Sequence, residues 1–74
     1  MPSNSTFRYD VKTGFRPVDD RYVGTFEVSE PQGDRLALLH VDEGREAQEF
    51  ADIADARADA ARRAEAWIAG RRGR

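Results

Sequence analysis

The sequence predicts a single α+β domain: an antiparallel sheet of three or four strands packed on one C-terminal α-helix. Three observations carry this. Segments of alternating apolar and polar residues fill the first half of the chain. Glycine-bearing turn signals separate them. An alanine-rich stretch with helical spacing fills the last third. Seventy-four residues suit one domain spanning 1–74.

Taken in order, residues 1–5 read as a frayed polar terminus. In "TFRYDV" the alternation places Phe7, Tyr9 and Val11 on one face of a first strand. "KTGFRPVDD" contains Gly14 and Pro17 and reads as a connection, although Phe15 and Val18 within it can pack or pair. "RYVGTFEVSE" is the clearest strand. Tyr22, Gly24, Phe26 and Val28 share one face, and Val23, Thr25, Glu27 and Ser29 the other. "PQGD" supplies a hairpin turn. "RLALLHV" follows as a third strand, with Leu36, Leu38 and His40 on one face and Ala37, Leu39 and Val41 on the other. Apolar residues on both faces suit a central strand, or a strand whose second face is covered. "REAQEFA", residues 45–51, is open to two readings. It fits a short fourth strand paired to the third, or the start of a single helix running from Glu46 to Ala69.

The helix itself is well marked. Asp52 followed at the third position by Asp55 resembles a capping box, and Asp52, Asp55 and Asp59 suit the positive end of the helix dipole. At 100° per residue, Ile53, Ala56, Ala60, Ala64, Trp67 and Ile68 form one stripe. Asp55, Asp59, Arg62 and Glu65 lie opposite, with Asp59 in reach of Arg62 and Arg63. Small alanines let the helix backbone approach a flat sheet, and Trp67 and Ile68 anchor its far end. Gly70 falls where a left-handed C-cap would end the helix, leaving 70–74 as a flexible basic tail.

Composition narrows the function classes. A chain of this length buries only about 60% of its unfolded surface. It has no cysteine, which removes disulfide staples, thiolate metal sites and thiol nucleophiles. The start shows no basic region followed by an apolar run, and no segment reaches the length needed to span a bilayer. The expectation is a cytoplasmic protein without membrane partners. Charge is uneven within a net of -2: residues 36–61 sum to -5 and residues 62–74 to +4. An acidic middle opposes general polyanion binding. Lysine occurs once against eleven arginines, and with the alanine excess this fits a GC-rich bacterial genome.

Catalytic chemistry finds little support. His40 is the single histidine and lies mid-strand between Leu39 and Val41, so it reads as a half-buried strand residue. A metal site would need further imidazoles or thiolates, and "DEGREAQE" lacks calcium-loop spacing. Thr25, Ser29, Ser3, Ser5 and Thr6 stand in no nucleophile-elbow pattern. Asp19–Asp20 and Asp42–Glu43 sit in polar turns, where nothing separates their acidities. Gly14, Gly24, Gly33 and Gly44 form no phosphate cradle. The sequence therefore indicates no catalytic residues, metal site or cofactor, and the expectation is a non-enzyme.

Two binding surfaces are visible. One helix cannot cover both faces of the sheet, so Val23, Leu39 and Val41 are expected on an uncovered apolar face, which suits a protein partner or a homodimer. The acidic run Asp42, Glu43, Glu46 and Glu49 would add charge complementarity to a basic partner. Edge strands offer a second route, by strand addition. The alternative surface is the tail "GRRGR", where Arg71, Arg72 and Arg74 could contact nucleic-acid phosphates. Three arginines give only weak, salt-sensitive binding.

The succession of "RYVGTFEV", a glycine turn, "RLALLHV" and "FADIADARADAARRAEAWI" resembles the HicB-like antitoxin class of small bacterial domains, over residues 6–69. That resemblance implies a non-enzymatic partner-binding module, an antitoxin-like regulator. The class carries a Pro-Gly-Cys element after its second strand, where this chain has "SEPQGDR", and a separate DNA-binding segment, whereas no ribbon-helix-helix or helix-turn-helix pattern is read after Trp67. The sequence supports first an interaction module, second a nucleic-acid accessory protein, and third a structural domain without a partner.

Overall fold

The computed structural model describes residues 9–72, the side chain of Arg72 excepted. Strands β1 (Asp10–Val18), β2 (Arg21–Gln32) and β3 (Arg35–Asp42) precede helix α1 (Ile53–Arg72). The strands form one antiparallel sheet in the order β1-β2-β3, with α1 packed on one face. The expected α+β architecture is present, with three strands.

β1 lies further along the chain than its alternation suggests. It runs through "KTGFRPV", the segment read as a connection. Pro17 is tolerated because β1 is an edge strand, where a missing N–H breaks no ladder bond. The turn falls instead at Asp19–Asp20, with Asp19 in the left-handed region at φ 57°. Tyr9 and Val11 pack against the core as a shared face requires, whereas Phe7 lies outside the described residues.

The fourth strand does not form, and neither does the longer helix. Residues 45–51 make a loop that returns to β2, not β3, through a single bridge. Tyr22 N–H donates to the Phe50 carbonyl at 2.8 Å, and Phe50 N–H donates to the Tyr22 carbonyl at 2.7 Å. β3 ends opposite Phe26, which leaves the start of β2 unpaired on that side. Gly44, at φ 75°, turns the chain toward that gap and lies against Val23 and the Gly24 carbonyl. The helix then starts after Asp52, whose carbonyl accepts the Ala56 N–H at 3.2 Å.

α1 buries the stripe its spacing defines. Ala56, Ala60, Ala64 and Ile68 are buried, and with Phe26 and Val28 they make the core. Gly24 marks the closest approach of helix and sheet. A Cβ there would fall on the Ala56 carbonyl oxygen and 2.8 Å from the Ala60 Cβ. Gly70 is not a left-handed cap: the helix continues through it to Arg72, so residues 70–72 are helical and not a flexible tail. Alanine and arginine are strong helix formers and sustain that last turn.

Candidate interaction surface

The decisive local feature is a β-bulge. Val28 stands opposite His40, but its neighbour Ser29 stands opposite Leu38, so Leu39 is an extra residue on β3. An extra residue moves everything beyond it to the other face. His40 therefore turns toward the helix while Leu36, Leu38 and Val41 share the uncovered face. These three are 53%, 57% and 45% exposed, respectively. The other large exposed apolar side chain among the described residues is Phe15, which meets Tyr22 edge-on with ring centroids 5.7 Å apart.

Two of the three residues expected on the open face are placed otherwise. Val23 does face away from the helix by register, yet it is only 2% exposed because the Gly44 turn lies against it. Leu39 is half-buried and packs against the helix-side core, because the bulge removes it from the alternation. Val41 is exposed as expected. Leu36 and Leu38 take the places of the other two, and only the bulge register reveals them.

Beside Val41 the sheet surface is a shallow depression of about 590 Å³, with Lys12, Gly14, Arg16, Thr25 and Glu27 among its lining. Gly14 contributes no side chain, which leaves the hollow. Lys12, Glu27 and Val41 stand abreast on the three strands. The Arg16 Nε donates to the Glu43 carbonyl at 3.1 Å and closes one end.

The acidic run is not a uniform patch. Asp42 is half-buried, paired with Arg63 at 3.1 Å, and accepts the Gly44 N–H at 2.7 Å. Glu43 pairs with Arg45 at 3.0 Å in solvent, a contact worth at most about 1 kcal/mol. Glu46 and Glu49 are exposed.

Arg63 joins helix to sheet. Its Nε donates to Asp59 at 2.9 Å, and a second nitrogen donates to the Gly24 carbonyl at 2.6 Å. Arg62 reaches the same Asp59 at 3.3 Å, so both spacings expected from Asp59 are filled. Arg63 also lies over the Phe26 ring, 5.7 Å from its centroid. From Phe26 a series of ring contacts continues to His40 at 5.6 Å, and from His40 to Trp67, stacked at 4.8 Å. Arg71 closes the series, 5.6 Å from the Trp67 centroid. His40 is thus a half-buried packing residue. Arg71 is engaged by Trp67, Arg72 ends the helix, and Arg74 lies outside the described residues.

Among the described residues, no group of three or more His, Asp or Glu is placed to hold a metal ion, and no helix is long and apolar enough to cross a membrane. No family model, curated protein or solved structure matches the chain.

Proposed function

We propose that this chain is a non-enzymatic protein-interaction module that binds its partner through β3. One observation carries the proposal: Leu36, Leu38 and Val41 lie exposed on one face of an edge strand that α1 does not cover. Isolated exposed leucines are ordinary, but three together on one strand face mark an interface. The order of strands and helix, with the likeness to HicB-like domains read from the sequence, supports a regulator of antitoxin type, acting by occupying a partner protein.

A photo-crosslinking side chain at position 38, introduced in the native host, tests this. The expected result is a discrete protein adduct that survives nuclease treatment, with none from the same group at position 62 on the outer helix face. An adduct to nucleic acid, or none at position 38, would overturn it. The nucleic-acid reading makes the opposite demand, that deletion of residues 70–74 abolish binding. Since Arg71 is held against Trp67, we expect that deletion to leave the protein adduct intact.

A further inference from the structure

We propose that the occupant of β3 is β3 of a second copy, joined edge to edge and antiparallel into one six-stranded sheet. This rests on the reading of β3 as the binding surface and names its partner.

The two edges of the sheet differ in kind. β1 carries Asp10, Lys12, Arg16 and Pro17, the charges and proline that keep an edge from pairing. β3 has no proline, and between Leu36 and Val41 it has no acid, lysine or arginine. It has the two-sided apolar composition of a central strand, yet the sheet places it at the edge. Its outer N–H and C=O groups bond to no other backbone among the described residues.

The bulge decides which partner fits. In a regular strand, residues of odd and even number face opposite ways, so pairing β3 with its own copy about the midpoint between residues 38 and 39 would set unlike faces together. The extra residue, Leu39, lies beside that midpoint and sets the pairs outside it, 35 with 42, 36 with 41 and 37 with 40, on like faces, leaving Leu38 and Leu39 as the irregular centre. Leu36 then comes opposite the second copy's Val41, both on the open face. Arg35 comes opposite the second copy's Asp42, both on the helix face. Arg35 has no ion-pair partner among the described residues, so each end of the junction gains an opposite-charge pair. The strand is self-complementary under a two-fold axis, as a symmetric dimer requires.

Sedimentation of the full chain over a wide concentration range should show a species of twice the 8.3 kDa monomer. Leu38→Lys, at an exposed position, should abolish that species while circular dichroism shows the fold retained. Arg35→Glu should weaken association roughly tenfold, since it reverses two symmetric surface charge pairs. The chain has no native cysteine, so Asp34→Cys carries a single spin label. Position 43, the counterpart of 34, lies nine residue steps along the strand, which sets the two labels of an antiparallel dimer roughly 30 Å apart. A single-chain mass at every concentration, a dimer indifferent to Leu38→Lys, or labels in near contact would each overturn the proposal. A monomer whose position 38 still crosslinks to another protein would overturn this inference alone and leave the interaction-module reading in place.

Discussion

Gly24→Ala is expected to destabilise the domain by about 3 kcal/mol. The added methyl meets the Ala56 carbonyl oxygen and carbon, together with the Ala60 Cβ. Two of those three atoms are helix backbone, so no side-chain rotation relieves the clash. The helix must lift from β2, and the Arg63 bond to the Gly24 carbonyl must stretch with it. A domain of this length has roughly 4–11 kcal/mol of stability, so the loss is a large share. The same substitution at Gly70 should act in the opposite direction. Nothing lies within 4 Å of a Cβ there, and the residue is helical. Gly70→Ala should stabilise by about 0.5–1 kcal/mol. Urea unfolding of the two variants checks both signs. Equal midpoints would contradict the close approach of helix and sheet.

Phe26→Ala is expected to cost about 3–5 kcal/mol, a large share of the stability of a domain this small. Phe26 is the largest buried side chain in a core whose other buried members are Val28, Ile68 and three alanines. Alanines cannot move into the space, because the helix backbone is already held against Gly24. The substitution also removes the ring between Arg63 and His40. Phe26→Leu keeps most of the volume and should cost under about 1.5 kcal/mol. Thermal and urea unfolding of the pair separate packing volume from the ring contacts. A loss below about 1 kcal/mol for Phe26→Ala would show that the core does not depend on it.

The helix was legible because its signal is long and regular. Alanines at 56, 60 and 64, with Trp67 and Ile68, repeat with one period for four turns. β2 was equally plain, since Phe26 and Val28 alternate with polar neighbours. β1 was harder to see. Gly14 and Pro17 look like punctuation, and only an edge position makes them compatible with a strand. Residues 45–51 have helical composition and a plausible strand length, and the outcome turned on the gap left where β3 stops at Asp42. The candidate surface was legible only in part. That one sheet face lies open follows from counting a single helix against a sheet. Which side chains occupy it does not, because one inserted residue exchanges the faces of β3 and no residue type announces it. Val41 survives that exchange, Leu36 and Leu38 enter the surface, and Leu39 leaves it. Val23 was lost for a different reason, the Gly44 turn folding over it.

In the proposed dimer β3, a central strand by composition, becomes one by position when a second copy pairs with it. Amide hydrogen exchange of the β3 groups that point away from β2 tests this most directly. Those amides should exchange slowly in the concentrated wild-type chain and fast in Leu38→Lys, with the amides shared by β2 and β3 equally protected in both. Fast exchange of the outer amides in both proteins, at every concentration, would contradict it.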